Sequence, residues 1–348
     1  MKNKQEGGGF QPRRGWVACR CVMLLATMLL GLSCSRREKD FSDVRIAFFP
    51  GGGPDQSFAA IVYEGAKTAA EDLGCQMDYY WSYWNEDTII SQFREAIYSG
   101  ADAICVVGHP GEERMRPLVE EAFRKNILVT FLNADLPGIK ADFVTQGCGY
   151  VGQDTYQSGY NLGSALARKY SPEQLREVYV LTWDYQTNAP LSHRARRSLG
   201  LLDALKEHHI PHHHSEIPLE LRTAFSAGDL ADHLSTALAD YPDTGALIAD
   251  SGDVTAALAD ALKIAGVKPG EIIGSGFDLS VQTVNGLHSG YLGLIHDQQP
   301  FLQGYLPVLQ ACLSVKYGFA GLNIDTGSGL IDSRNLGLIE ELVRRRIR

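Results

Sequence analysis

From residue 43 onward, short apolar runs alternate with amphipathic stretches of 12 to 18 residues. That alternation is the pattern of repeated strand–helix–strand units around parallel sheets. It predicts strands at 45–49, 77–81, 103–107, 128–132, 177–182, 246–249, 272–274 and 292–295. It predicts helices at 57–73, 87–99, 112–125, 155–169, 189–206, 228–239, 254–265, 279–288 and 301–315. Strand number and chain length together favour two α/β sheets over one. Ligands in such sheets bind beyond the carboxyl ends of the strands, so a cleft shared by two sheets is the natural site.

Two segments stand outside this alternation. His208, His209, His212, His213 and His214 surround Ile210 and Pro211. Histidine-rich tracts can hold zinc or nickel, but this one reads as a solvated turn after a helix, on the side away from the strand carboxyl ends, with no metal role. Near the start, Lys2, Lys4, Arg13, Arg14 and Arg20 precede the eleven uncharged residues Val22 to Leu32, followed by Ser33, Cys34 and a charged run. Eleven apolar residues are too few to span a bilayer, which needs roughly 20. They read as the core of a secretory signal.

A cysteine directly after a small residue and a short apolar core resembles a bacterial lipoprotein signal, in which that cysteine is lipidated and becomes the new N-terminus. Gly31 stands where the pattern prefers Leu, with Leu30 one place early. Lipidation at Cys34 is the leading reading, ahead of an ordinary cleaved signal and an uncleaved anchor. It divides the N-terminal region into a signal at 1–33 and a tether at 34–42. Cleavage there removes five basic residues and one acidic residue, which moves the formal net charge from −9 to −13. A chain so acidic has no basic face for nucleic acid. Cys75, Cys105, Cys148 and Cys312 remain, scattered and without paired spacing. A body of this size folds without disulfides, so they read as buried thiols.

Catalytic motifs are missing from the sequence. Gly51, Gly52 and Gly53 follow the first strand, where phosphate loops sit, but Pro54 and Asp55 follow in place of Lys and Ser or Thr, and Gln56 takes the position of the third glycine of a dinucleotide fingerprint. The glycines read as a mobile lip of the cleft. Nucleophile, metalloprotease and paired-carboxylate motifs are likewise absent. The strand ends carry another chemistry: Asn133, Trp183 with Asp184, Asp250 with Ser251, Asp278, and Asp297 with Gln298. Carboxylates and amides each grip adjacent hydroxyls, and an aromatic face covers the C–H side of a ring. Together they suit a neutral polyol, although each alone also suits a helix cap or a turn.

The run Asp297-Gln298-Gln299-Pro300-Phe301-Leu302-Gln303-Gly304-Tyr305 resembles a signature of the type I periplasmic sugar-binding proteins, the ribose and galactose class that feeds ABC importers. Gly149-Tyr150-Val151-Gly152-Gln153-Asp154, Gly276-Phe277-Asp278 and Arg197 ahead of Gly200 are similar to further motifs of that family. The resemblance runs from Val44 to about Ser333. It implies two Rossmann-like lobes joined by a three-stranded hinge near Gly152, Gln298 and Asp325, with the ligand cleft between them. The lobes would be 43–152 with 299–325, and 153–298 with 326–348. It also implies ligand contacts from Phe58 by stacking, and from Asn133, Asp250 or Ser251, Asp278 and the hinge glutamine Gln298. Arg197 matches an arginine that is a ligand or a support, and Arg194 competes for the ligand role.

Ala59 and Ala134 stand where family members place a second aromatic and an arginine. Losing a stacking face and a bidentate donor changes the hydroxyl pattern that can be read. Ribose therefore fits poorly, and Trp183 and Phe225 are candidates for the missing face. The expected protein is a monomeric, lipid-anchored receptor, not an enzyme and without a cofactor. It would capture a small sugar or polyol outside the cytoplasm and deliver it to an ABC importer permease. The alternative is a receptor presenting a sugar or furanosyl signal to a sensor kinase or chemoreceptor.

Overall fold

Runs such as Ala-Ile-Cys-Val-Val and Leu-Val-Thr-Phe-Leu are apolar on both faces, which suits a strand with helices on either side. The computed structural model describes residues 41–182, 193–217 and 226–348. It folds the chain into two six-stranded sheets and places these two runs at the centre of the first. The first sheet holds β1 (Arg45–Phe48), β2 (Gln76–Tyr79), β3 (Ala103–Val107), β4 (Leu128–Leu132), β5 (Gly149–Gly152) and β11 (Asn323–Asp325), in the order β11-β5-β4-β3-β1-β2. All its pairings are parallel. The second holds β6 (Val178–Thr182), β7 (His212–Glu216), β8 (Ala246–Ala249), β9 (Ile273–Phe277), β10 (Leu292–Asp297) and β12 (Gly329–Ile331), in the order β12-β10-β9-β8-β6-β7. It is parallel except for β12, which runs antiparallel to β10.

The chain passes between the sheets three times: after β5, after β10, and from β11 to β12. After β5, Asp154 caps the helix Thr155–Lys169 by accepting from the Gln157 amide at 3.0 Å, satisfying one of the orphan donors of the first turn. After β10, the helix Pro300–Tyr317 returns to the first sheet and packs along the helix Ser57–Leu73. Glycine makes that packing close: a side chain on Gly65 or Gly304 would meet the opposing helix's backbone, at Phe301 and Val62. The second lobe repeats the device. Gly159 faces the Arg197 carbonyl and Gly200 faces that of Tyr156, between Thr155–Lys169 and His193–Glu207.

The helix at 57–73 and the helix at 155–169 follow their expected bounds. Several elements are additional: β5, β7, β11, β12, the helix Pro137–Phe143 and the short helix Glu340–Arg344. The histidine tract is a correction. His208 and His209 do form a turn, but His212 to His214 lie in β7, a parallel edge strand paired with Val178 to Val180 of β6. His213 Nε2 lies 2.7 Å from Glu177 Oε1, and its ring sits 4.2 Å from that of Tyr241. An edge strand leaves one side of its backbone unpaired, and no residue of β7 is fully covered, so polar imidazoles are tolerated there. Cys75, Cys105, Cys148 and Cys312 are all buried in the first lobe's core. Among the described residues no helix is long and apolar enough to cross a membrane.

Candidate functional site

The carboxyl ends of the first lobe's strands carry rings. Gly51 has φ +95°, and a side chain there or on Gly52 would collide with the Trp84 indole. Tyr83 and Trp84 follow β2 with φ of 51° and 59°, a left-handed pair that non-glycine residues adopt only when their surroundings fix them. What fixes them is the glycine loop: Trp84 N–H donates to the Gly51 carbonyl at 2.9 Å, and Ser82 Oγ donates to the same oxygen. The glycines are thus a seat for Trp84 rather than a mobile lip, because the indole fills the space their missing side chains leave. The Trp84 ring lies 5.9 Å from Phe58 and 5.0 Å from His109, which follows β3. All three rings are half-buried.

The second lobe presents charges and amides instead. Asp278 follows β9 with φ 69°, as Asn133 follows β4 with φ 62°. Each turns its own N–H back to a neighbouring strand, Asp278 to the His296 carbonyl at 2.9 Å and Asn133 to that of Val151 at 3.1 Å. Asp and Asn are among the few residues that accept this conformation at low cost. Burial pushes the Asp278 carboxyl above its usual value, opposed by Arg197 and by a hydrogen bond from Gln298. The Arg197 guanidinium lies 4.3 Å above the Phe277 ring and donates to the Asp250 carbonyl at 2.6 Å. Asp250 Oδ2 accepts from Ser198 Oγ at 2.5 Å, and Ser251 caps the helix Gly252–Ile264. Asp250 and Ser251 therefore already hold structural partners.

At the hinge the two lobes meet in one polar network. Gln298 Nε2 donates to Asp278 Oδ1 at 2.5 Å. Its Oε1 accepts from Gln153 Nε2 at 2.9 Å, Gln303 Nε2 at 3.3 Å and Asn133 Nδ2 at 3.4 Å. Gln303 also reaches Thr326 Oγ1 at 3.1 Å, on the third crossover. A single side chain thus links the strand-end groups of both lobes.

Of the expected residues, Asn133, Asp278 and Gln298 come together in this network, Arg197 flanks it, and Phe58 joins the aromatic wall. Trp183, Phe225 and the Arg194 side chain lie outside the described residues, as does Cys34. Sequence reasoning missed Trp84, His109, Gln153 and Gln303. Trp84 and His109 each follow a strand by a few residues, so the strand-end rule applied to β2 and β3 finds both.

Residues 46–316 match the family described as periplasmic binding protein domain. A xylose/arabinose-binding protein of Sulfolobus acidocaldarius is 25% identical over 286 residues, covering 78% of this chain and 67% of that protein. A carbohydrate transporter of Acidothermus cellulolyticus, solved with myo-inositol, superposes with a TM-score of 0.72 at 20% identity, covering 88% of this chain and 99% of that one. An ABC transporter solute-binding protein of Burkholderia graminis, solved with D-arabinose, gives 0.71 at 20% identity, over 86% and 98%. The shared two-lobe fold and the long family match lead to one assignment: this chain belongs to the periplasmic binding protein family, a family of binders and not of enzymes.

Proposed function

We propose that this protein captures a small sugar or polyol between its lobes and presents it to an ABC importer permease, tethered to the outer face of the membrane by lipid on Cys34. The observation that carries the reading is the Gln298 network, which joins Asp278 of one lobe to Asn133 of the other; three aromatic rings cluster at the first lobe's strand ends. A neutral ring with hydroxyls matches both halves. Its C–H face lies on Phe58, Trp84 and His109, and its hydroxyls donate to Asp278 and Asn133 and accept from Arg197. Trp183 and Arg194 belong to the same set on sequence grounds, and Asp250 and Ser251 hold the second lobe's groups in place. We divide the lobes at the three crossovers, as 43–152 with 299–325 and 153–298 with 326–348.

A thermal-shift screen tests this reading. Ligand that binds only the folded state stabilises it by RT ln(1 + [L]/Kd). Pentoses and cyclitols head the panel, because the relatives described above are named for xylose and arabinose or were solved with D-arabinose and myo-inositol. One or a few of these should raise the melting temperature in a concentration-dependent way; a flat response across pentoses, hexoses and polyols rejects the sugar assignment. For the anchor, Cys34→Ala should leave exported protein free of the membrane. An unchanged membrane fraction and a wild-type N-terminus without lipid by mass spectrometry would reject it.

A further inference from the structure

Gln298 reaches its partners from a crossover whose neighbouring side chains hold another residue. Asp297 ends β10, and Gln299 leads into the helix Pro300–Tyr317. The buried Asp297 Oδ2 lies 2.6 Å from Arg348 Nη2, and Arg348 Nη1 donates to Gln299 Oε1 at 3.3 Å. One guanidinium thus holds the residue before Gln298 and the residue after it, where the chain passes from the second sheet to the first. Gln299 needs such a hold. Its φ of 55° is a left-handed conformation that a non-glycine residue keeps only when its surroundings fix it. Three hydrogen bonds do so: its N–H donates to Asp297 Oδ1 at 2.8 Å, its Nε2 donates to the Thr326 carbonyl at 2.8 Å, and its Oε1 accepts from Arg348. Arg348 supplies the last of these directly and orients the carboxylate that supplies the first. Thr326 lies on the third crossover, so the hold extends to a second of the three connections.

The backbone of Arg348 is itself fixed to the second lobe. Arg346, with φ 56°, turns the chain back after the helix Glu340–Arg344, and the Ile347 and Arg348 N–H groups donate to the Leu342 carbonyl at 2.9 and 3.3 Å. Ile339 and Val343 bury their side chains in that lobe's core. We propose that Arg348 is a positioning residue for ligand capture: without touching the ligand, it locks the pivot around Gln298 and so holds that side chain toward Asp278 and Asn133 before ligand arrives. The inference rests on the reading that ligand binds at the Gln298 network. A group already held in its binding pose need not be ordered during association, which favours affinity. Arginine suits the task, because its planar fork offers donors to two acceptors at once, whereas a lysine ammonium acts as a compact point charge.

The test is a double-substitution cycle in the full chain. The calorimetric probe is the member of a pentose, hexose and polyol panel, headed by xylose, arabinose and myo-inositol, that raises the wild-type melting temperature most. Arg348→Ala should weaken binding roughly three-fold to ten-fold, within the range of couplings inside one hydrogen-bonded network, and should add no further loss in a Gln298→Ala background. Arg348→Lys should keep the wild-type urea midpoint, since its ammonium still faces Asp297, and yet lose affinity as Arg348→Ala does. Wild-type affinity in Arg348→Ala overturns the proposal. An equal loss with and without Gln298 also overturns it, by showing that Arg348 acts elsewhere, and a lysine variant that binds as wild type reduces Arg348 to a counter-charge for Asp297. A Gln298→Ala protein that binds as wild type, or a flat response across the whole panel, overturns the reading of the site instead, and this inference with it.

Discussion

The two lobes share an architecture and differ in what they bury. Each has a six-stranded sheet and a pair of helices brought together by facing glycines. Among the described residues, the buried Arg, Asp and His side chains are Arg197, Asp250, His296, Asp297 and Asp332, all from the second lobe and its hinge strands. The first lobe buries neutral polar groups such as Ser82, Thr130 and Gln310, and lines its cleft edge with rings. One fold thus supplies a stacking wall on one side and an ionic hydrogen-bonding wall on the other. Backbone packing sets the architecture, while the residues just past each strand set the chemistry.

The shared half of the comparison breaks most severely at the glycines. The atoms facing Gly304 and Gly200 are backbone, which cannot swing aside. Overpacking costs typically 1–3 kcal/mol, so Gly304→Ala and Gly200→Ala should each cost about 3 kcal/mol, read from urea unfolding midpoints. A large loss in one lobe alone would show that the two helix pairs are not equivalent.

The differing half is sharpened by ligand affinity. Hydrogen bonds to an ionised acceptor contribute about 1.5–3 kcal/mol each, so Asp278→Ala should weaken binding roughly ten-fold to several-hundred-fold in a calorimetric titration. Gln298→Ala should weaken binding and also alter the solution shape of the empty protein, because Gln298 links Asp278 to Asn133. Small-angle scattering of the ligand-free variant that matches wild type would remove the hinge role.

Acid should find the second lobe first. Burial, reinforced by Arg197, lowers the His296 pKa to about 4, from an ordinary value near 6.5. The folded state then binds fewer protons than the unfolded state between those values. Stability is full above about pH 6.5 and falls as the pH drops toward 4, by about 2 kcal/mol at pH 5. Asp332 adds to the loss at lower pH, because hydrogen bonds from Arg334 and Lys169 outweigh its burial and hold its pKa down. Asp278, with a raised pKa, opposes both. His296→Gln should flatten the slope between pH 6.5 and 5 in urea melts; an unchanged slope would place the acid sensitivity elsewhere.

The smallest effect is expected at Arg348, whose Nη2 lies 2.6 Å from the buried Asp297 Oδ2. Breaking a fully buried pair costs 3–5 kcal/mol. Arg348 is partly solvated, and Asp297 keeps a hydrogen bond from the Gln299 amide, so Arg348→Ala should cost about 1 kcal/mol by urea unfolding. No change would show that water replaces the guanidinium.

The sequence displays these features unevenly. β3 and β8 are unbroken apolar runs and β4 is broken only by Thr130, so their places are legible. β5 reads Gly-Tyr-Val-Gly and β7 reads His-His-His-Ser-Glu. Neither shows strand periodicity, since one is held by its neighbours and the other is an edge. Asn133, Asp278 and Gln298 are legible because each ends a recognisable strand. Trp84 is legible only as a ring a few residues past β2; its orientation is not, because that depends on a left-handed turn and a glycine seat more than thirty residues earlier. The Asp297–Arg348 pair joins residues 51 apart that no local pattern connects.

The account's central claim is that one ligand touches both walls. The direct test is a calorimetric titration of the sugar giving the largest thermal shift into wild type, Trp84→Ala and Asp278→Ala. The account predicts one-to-one binding that is weakened by both substitutions, by about ten-fold or more for Asp278 and by up to about ten-fold for the lost aromatic face. Wild-type affinity in either variant would contradict it.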